Sequence, residues 1–569
     1  MARAAKAIGD WPLAGGLVLL AWIHRLFFLF SNLDHTWPFT VFYEGDSETF
    51  YDYARAILNG SVYDGGVPFH PPAFPYFLSM VHTLIGAGPG VEQVPYVPLK
   101  IVMALVGSLP IGLAYLIARP YLGRSAAFTG AMLGVYSFGL YIVSVAPVSE
   151  SLYMNLLLGA LLVWTRKMAH PVSVASGPTR PGWSLLLGAL LGMLCLTRAE
   201  GILVALLLLL VGLGSSWRLH ASEAPMGARP DAGHGSKPRS RAPRTTALLR
   251  PWLFAGAAMV LVILPWTIRN AVRLHAVNVG LADQLAHPLP ELVPITAYGP
   301  LNFALANNAQ ADGTFSRDIL TSQAHSATLD IRDPQHLEYF LHGYRIGGQF
   351  IAEHPGAFVR LVFRRWGLFF GSLRLGWTQW DIPGGLDGVR RPVDLFVPSS
   401  GIAIWIHLLL MLGGCAFLLR DSDGRRWLLI VGLLTGAGMV TTGLFFGYAR
   451  LGVILFPLWF MLSGRALAGL VDTIAKRPAI DGDERAIPKK GADDRAGARR
   501  TAPRSSRESS AIPPFGRNVW AVVIVLMLLL EGWGATGNRN FRASGTQAEG
   551  ATHLNPHDTM HLEVIHGKH

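Results

Sequence analysis

The sequence predicts an all-α polytopic membrane protein, and three observations support that prediction. Of its 569 residues, 51% are hydrophobic and only 15% are charged, whereas ordinary soluble domains are roughly 25% charged. The apolar residues form many separate runs, most of them near the ~20 residues with which a helix crosses a bilayer. The net charge of +12 lies mostly in two segments between these runs, which is typical of cytoplasmic loops rather than of a nucleic-acid partner.

We predict about eleven transmembrane helices from the apolar runs. The predicted spans are residues 11–31, 98–118, 125–146, 151–166, 183–197, 200–217, 251–268, 401–419, 427–446, 451–471 and 519–535. No small-residue cleavage site follows the first run, so it is predicted to be a retained span and not a signal peptide. Cys195 and Cys415 lie inside apolar segments, which favours small core residues over a disulfide framework or a zinc site.

Two basic segments determine the predicted topology. Residues 218–250 contain seven Lys and Arg, and residues 472–518 contain eleven. Both segments are therefore predicted to be cytoplasmic, and their Pro, Gly, Ser and Arg content predicts disorder. Both can lie on one side only if an even number of spans separates them, and the spans that begin at 251, 401, 427 and 451 give four.

A fifth apolar segment between the basic loops, residues 357–373, would break this parity. It contains Arg360, Arg364 and Arg365. We predict an amphipathic helix at the membrane interface, with its arginines extended to the headgroups.

This topology divides the chain into two transmembrane modules and their connections. Residues 1–217 include an external segment, 32–97, and residues 251–471 include a larger one, 269–400, before the last four spans. After the span 519–535, residues 536–569 form an external polar tail. Its histidines are predicted to be incidental rather than metal ligands: His553, His557, His561, His566 and His569.

The first external segment contains the most informative stretch, "GDSETFYDYARAILNG" at residues 45–60. Its apolar residues Phe50, Ala54, Ile57 and Leu58 recur at helical spacing and form one stripe. Asp46 begins this helix and Glu48 lies in its first turn, where the helix dipole stabilises acids. Asp46 could cap the helix or act as an exposed carboxylate at the membrane surface, and the spacing leaves both open. "FHPPAFPYFLSMVHTLIG" at 69–86 then predicts a second short helix along the interface.

These two stretches resemble the first external loop of GT-C glycosyltransferases, in the branch that includes protein O-mannosyltransferases and the aminoarabinose transferase of lipid A. Further similar motifs follow in the same order over roughly residues 10–470. They are "VSESLYMNLLLGALL" (148–162), "LCLTRAEGILVALLLLL" (194–210), "LPWTIRN" (264–270), "NNAQADG" (307–313), "EHPGAFVRLVFRR" (353–365) and "GYARLGVILFPLWF" (447–460). One departure is Ser47, where many members of this branch have a second acid.

The resemblance implies a GT-C-like bundle that transfers a sugar from a polyprenyl phosphate, with inversion, to an acceptor outside the membrane. The acceptor could be a lipid, a protein or a glycan. Inverting transfer needs a base beside the attacking hydroxyl, and we expect Asp46 to be that base. A carboxylate half removed from water would also gain basicity.

The leaving lipid phosphate needs cations to stabilise its charge. Candidates are Arg198, Arg269 and Arg450 at predicted external ends of spans, with His70 nearby in sequence. Arg269 and Arg450 could instead anchor in headgroups. Arg198 could form a structural pair with Glu200, and His70 could be a packing residue.

A second acid is expected from Glu150 or Glu48, either directly or by holding a divalent cation such as Mg²⁺ or Mn²⁺. Glu150 could equally be an acid near a helix N-terminus. No other cofactor is expected.

A transporter, a lipid flippase or a glycan polymerase is the alternative class. Transporters often show inverted repeats and paired charges near the midplane, whereas these acids and arginines lie at predicted outer ends of spans. Ala-, Gly- and Arg-rich loops without an organelle signal indicate a bacterial inner membrane, with the site on the periplasmic face.

Overall fold

The computed structural model describes residues 9–31, 46–62, 64, 66–91, 94–168, 181–223, 245–320, 329–375 and 400–475. Within these ranges the chain is helical, without a β-strand, so the all-α prediction is confirmed. The helices are α1 (Asp10–Ser31), α2 (Asp46–Leu58), α3 (Ala73–Leu84), α4 (Tyr96–Leu122), α5 (Arg124–Val135), α6 (Phe138–Val145), α7 (Glu150–Val163), α8 (Pro181–Thr197), α9 (Gly201–Glu223), α10 (Thr245–Gly280), α11 (Gly299–Ala306), α12 (Pro334–Glu353), α13 (Pro355–Phe370), α14 (Ser400–Leu418), α15 (Ser422–Leu444), α16 (Ala449–Val453) and α17 (Phe456–Ala475).

Three of the described helices are long and apolar enough to cross a membrane: α4, the Leu249–Gly280 part of α10, and α15. Helices α5 and α6 together form a fourth candidate, bent by 57°. Shorter apolar helices cover Pro181–Thr197, Gly201–Gly214 and Trp405–Leu418. The polytopic membrane class is thus confirmed. Eleven spans stays a prediction, and the span 519–535 and the histidine tail lie outside the described residues.

Short polar residues begin several of these helices. The Ser137 hydroxyl accepts a hydrogen bond from Leu140 N at 3.3 Å and starts α6 at the bend. The Asp333 carboxylate accepts from Gln335 N at 2.7 Å and starts α12. Such caps satisfy amide groups that have no partner inside the helix, so the sequence specifies where the chain changes direction.

Helix α10 is longer than the predicted span 251–268, because it runs to Gly280. Residues 266–279 contain no glycine or proline, the residues that most often end a helix. The helix therefore continues to Gly280. Arg269 therefore lies inside α10 and not after it.

Helix α13 has only 16 residues and is not among the helices that qualify as spans, which agrees with an interfacial position. Arg360, Phe363 and Arg364 lie on its exposed face. The prediction that all three arginines extend to headgroups is wrong for Arg365, which is fully buried. One residue is a 100° step around a helix, so Arg365 points to the face that packs inward.

Helices α2 and α3 pack against each other, as predicted. Phe50 and Ala54 of α2 are buried against Phe74 and Leu78 of α3, which confirms the apolar stripe. The Arg55 guanidinium donates to the carbonyl oxygen of Ala87 at 3.2 Å and so closes the turn after α3. This packing fixes the start of α2, where Asp46 lies.

An ion pair joins the stretch between α2 and α3 to α10. Arg269 donates through both terminal nitrogens to Asp64, at 2.6 and 3.0 Å, and its guanidinium lies 4.5 Å from the Trp266 ring centre. The Asp64 side chain is completely buried. A buried carboxylate depends on its partner, so Arg269 holds Asp64 and residues 66–70 against α10.

We predict that Arg269→Met destabilises the folded protein by about 3 kcal/mol or more, because Asp64 would remain buried without its cation. The thermal unfolding midpoint in detergent micelles measures this. Arg273→Met is the matched control, since Arg273 is exposed one turn further along α10. Equal midpoints for the two variants would contradict the structural role.

Candidate functional site

Five charged side chains form one continuous series of contacts near the start of α2. Asp46 pairs through Oδ2 with Arg450. Arg450 Nε lies 3.5 Å from Glu150 Oε1, which also accepts from Arg198 Nη1 at 2.9 Å. Arg198 Nε contacts Glu200 Oε1 at 2.5 Å. Acids and arginines thus alternate along the whole series, which we call the ion-pair chain.

Each member lies at an interruption of helical structure. Glu150 is the first residue of α7, just after Ser149, whose hydroxyl accepts from Arg198 at 3.1 Å. Arg198 lies in the turn between α8 and α9. Arg450 is in the five-residue helix α16. Helix ends leave backbone groups without intrahelical partners, and the charged side chains gather at these ends.

The ion-pair chain becomes more accessible towards Asp46. The Glu150 side chain is 1% exposed and Arg198 16%, whereas Arg450 is 31% and Asp46 36% exposed. Among the described residues, Asp46 Oδ1 accepts no hydrogen bond. Glu150 and Arg198 are therefore the most buried members, Glu200 at the other end is 27% exposed, and the Asp46 carboxylate can meet another molecule.

Two opposing effects act on the Asp46 carboxyl. Burial raises its pKa, but the Arg450 guanidinium lowers it, with a further contribution from Arg198, so the net pKa lies below the usual value. Asp46 is therefore ionised at neutral pH. The expected gain in basicity by desolvation is outweighed as long as Arg450 stays paired with it.

Aromatic side chains surround the exposed end of the ion-pair chain. His70 Nδ1 lies 3.3 Å from the Tyr53 hydroxyl, and its ring packs on Phe50 and Tyr298. Tyr448 lies under Arg450, 5.6 Å from the guanidinium carbon to the ring centre. Burial lowers the His70 pKa, against the opposing effect of Asp46. His70 is therefore a neutral packing residue here, able to exchange hydrogen bonds.

A small, partly open cleft lies beside Glu200, at the other end of the ion-pair chain from Asp46, with a cavity volume of about 60 Å³. Glu200 and Tyr153 are at its polar end, and two threonines add hydroxyls. The remaining wall is apolar or small. It consists of Leu157, Val204, Phe369, Leu434, Ala437, Gly438, Leu451, Ile454 and Leu455.

The structure brings four of the predicted site residues together: Asp46, Arg450, Glu150 and Arg198. Arg269 instead pairs with Asp64. The Glu48 side chain lies outside the described part of the chain. Arg198 forms the predicted pair with Glu200 and also contacts Glu150, whereas its binding of the donor phosphate stays a prediction.

Tyr298, Tyr448 and the position of Glu200 in the series were not predicted as site features. Glu200 had a sequence signal, since "TRAEG" places an acid two residues after Arg198 between apolar runs. Tyr448 had a similar signal, since it lies two residues before Arg450 in "GYARLGVILFPLWF", whereas Tyr298 had none.

The described residues do not fit a protein-held divalent cation. No group of three or more His, Cys, Asp or Glu side chains in these ranges could hold a metal ion. The two acids expected to do so, Asp46 and Glu150, are engaged by arginines. Each of these two acids contacts its arginines through a single carboxylate oxygen, Oδ2 of Asp46 and Oε1 of Glu150.

Comparison with known proteins gives one family match. Residues 69–227 match the family model of dolichyl-phosphate-mannose-protein mannosyltransferases. This match confirms the resemblance inferred from the motifs over that range, which contains His70, Glu150 and Arg198 but neither Asp46 nor Arg450. None of the curated proteins matches the chain.

Solved structures of two membrane glycosyltransferases are similar at low identity. Archaeoglobus fulgidus oligosaccharyltransferase AglB, in complex with an inhibitory peptide and a dolichol-phosphate, is 14% identical with a TM-score of 0.46; the alignment covers 92% of this chain and 55% of that one. ArnT from Cupriavidus metallidurans bound to undecaprenyl phosphate is 15% identical with a TM-score of 0.31, and the coverage is 84% and 82%.

The chain thus spans about half the length of the oligosaccharyltransferase. Another structure of the Archaeoglobus fulgidus enzyme, 15% identical with a TM-score of 0.42 over 80% of this chain and 49% of that one, is a complex with Zn and sulfate. TM-scores below 0.5 do not establish a shared function, so any function must be argued from this chain's own residues.

We predict that Glu150→Gln lowers the free energy of unfolding by about 2 kcal/mol, because two arginines would then share a buried region without the charge between them. Unfolding in detergent with matched Glu353→Gln, an exposed acid at the end of α12, measures the difference. No difference between the variants would show that Asp46 and Glu200 alone balance both arginines.

Proposed function

We propose that this protein is a glycosyltransferase that uses a sugar linked to a polyprenyl phosphate, with Asp46 as the general base. One observation carries this proposal. An accessible carboxylate and two arginines belong to one ion-pair chain, and that chain ends at an apolar cleft among membrane helices. The match to a mannosyltransferase family model over residues 69–227 supports the same class.

The cleft suits the lipid part of such a donor. Its wall is mostly apolar, and its polar groups are Glu200, which contacts Arg198, Tyr153 and two threonine hydroxyls. An isoprenoid chain would gain about 0.8 kcal/mol for each buried methylene-sized group. With the isoprenoid chain in the cleft, the donor phosphate would lie at the Glu200 end, within reach of Arg198 and Arg450.

The phosphate must compete for these arginines, because they already have partners. The ion-pair chain contains three carboxylates and two guanidinium groups, so it has no free cation to offer. Arginine binds phosphate with two parallel hydrogen bonds, which lets the phosphate replace a carboxylate partner. Arg450 is the member most able to exchange, since its pair with Asp46 is the most exposed.

This exchange would couple donor binding to base strength. Arg450 is the main group that keeps the Asp46 pKa low. When Arg450 turns to the phosphate, burial dominates and the pKa of Asp46 rises. The carboxylate thus becomes a better proton acceptor when the donor is in place.

The reaction then balances without another reactant. The acceptor oxygen forms a bond to the anomeric carbon while the bond from that carbon to the phosphate oxygen breaks. Asp46 takes the proton of the acceptor hydroxyl, and Arg450 and Arg198 stabilise the charge on the leaving polyprenyl phosphate. Attack from the side opposite the phosphate gives inversion. The distribution of basic residues between the apolar runs supports a site on the external face of the membrane, periplasmic in a bacterium.

We predict that Asp46→Asn reduces sugar transfer by roughly 10²–10⁴-fold or more, because an amide cannot accept the proton. The assay incubates membranes with a panel of radiolabelled polyprenyl-phosphate sugars and measures transfer to endogenous acceptors. Asp52→Asn, an exposed acid of the same helix, is the control and should retain activity. Normal turnover by Asp46→Asn would move the base to Glu44, Glu48 or Glu150, whereas donor flux without transfer would favour a flippase.

We predict that Ala437→Phe raises the KM for a long-chain donor at least tenfold, because the larger ring would fill the cleft that Ala437 lines. A water-soluble donor with a short prenyl chain should be affected much less. Val440→Phe on the exposed face of α15 is the matched control. Equal effects on both donors would place the lipid elsewhere.

A further inference from the structure

The segment that carries Arg450 lies in very close contact with α13. A side-chain carbon at Gly447 would lie 2.7 Å from both the Cα and the carbonyl oxygen of Arg365. At Gly452 it would overlap the carbonyl oxygen of Phe369 and the hydroxyl of Ser372. Glycine is needed where two backbones approach this closely, so the two glycines on either side of Arg450 set its distance from α13.

The Arg365 side chain also holds the segment that carries Arg450, through hydrogen bonds at the end of α15. Its Nη1 donates to the carbonyl oxygen of Gly443 at 2.7 Å and to Asn307 Oδ1 at 3.2 Å, and Nη2 donates to the carbonyl oxygen of Ala306. Ala306 ends α11, and Gly443 is in the last turn of α15. A cation is favourable at helix C-termini, where carbonyl groups lack partners, and here one guanidinium serves two such ends.

Two further hydrogen bonds complete this junction. Asn307 Nδ2 donates to the carbonyl oxygen of Leu444 at 2.9 Å, and Gly447 N donates to the carbonyl oxygen of Gly313 at 2.9 Å. Arg365 is fully buried and, in the described part of the chain, has no acidic partner. A buried cation without an acid is costly, so its hydrogen bonds to three acceptors are what keep it there.

We propose that Arg365 is a positioning residue for Arg450. It acts with Gly447 and Gly452 to hold residues 443–452 on the interfacial helix α13, so that the Arg450 guanidinium reaches both Asp46 and Glu150. This inference rests on the proposed function for its catalytic consequence. Arg365 contacts neither reactant nor Asp46, and its effect passes through the backbone of the segment.

The outward face of α13 connects this junction to the membrane surface. Val359 and Phe363 are 52% and 64% exposed, and Arg360 and Arg364 lie on the same face. Such a face suits a lipid–water interface. The placement of Arg450 is thereby tied to a helix that lies at the membrane surface, not to a loop in water.

The first experiment needs no activity. Hydrogen exchange of peptides that cover residues 443–453 is measured for the wild type, Gly452→Ala and Arg365→Lys in detergent micelles. Lysine keeps the charge but lacks the two terminal nitrogens that bridge the two helix ends. We expect faster exchange in this segment for both variants. Gly432→Ala, on an exposed and uncrowded position of α15, is the control and should match the wild type.

The second experiment is a double-mutant cycle on transfer. Gly452→Ala and Arg365→Lys should each lower kcat/KM by roughly 10²-fold, since small displacements of positioning groups have effects of that size. In an Arg450→Lys background the same changes should have little further effect, because they act through Arg450. A residue that only stabilised the fold would give additive losses.

The outcomes separate the two proposals. Wild-type exchange rates in both variants, or additive effects in the cycle, would overturn the positioning role of Arg365. Absence of sugar transfer by the wild type would overturn the proposed function alone, because the exchange experiment would still show whether α13 holds the segment. If one variant does not accumulate in membranes, the other decides the exchange experiment by itself.

Discussion

The contact between Asp46 and Arg450 is the interaction on which the rest of the site depends. The two residues are 404 positions apart in the sequence, so their pairing requires α2 and the short helix α16 to fold onto one another. Glu150 and Arg198 support this pair from inside the bundle. A chain of alternating charges in a region of low dielectric is stable only when every member has its partners, which makes these helices mutually dependent.

Local rules made much of the fold predictable. The apolar stripe of α2, the short helix after the two prolines and most apolar helices follow from periodicity and from helix-breaking residues. Local rules also found Asp46, because an acid at the start of an amphipathic helix next to a membrane is conspicuous. The helical boundary at Gly280 was missed because polar residues such as Arg269 suggested a loop, although no glycine or proline lies between Pro265 and Gly280.

Pairings between distant residues could not be predicted in this way. Arg269 satisfies every local expectation of a phosphate-binding residue, yet its partner is Asp64, 205 positions away. Arg364 and Arg365 are adjacent and chemically identical, but one is exposed and the other is fully buried. Only the packing of α13 against α15 distinguishes them, and that packing is set by side chains and glycines from other parts of the chain.

The position of the site follows from where the helices are interrupted. Backbone that is not helical is tolerated at membrane depth only where it is buried in protein or lines a cavity. The break before α7, the turn between α8 and α9 and the short helix α16 converge on the ion-pair chain and lie next to the cleft. Each interruption provides a charged residue, and the pairs Arg450–Glu150 and Glu150–Arg198 each join two different interruptions. Interrupted helices would be unfavourable in lipid, but here they create a polar centre beside the apolar cleft. A lipid-linked phosphate requires such an environment.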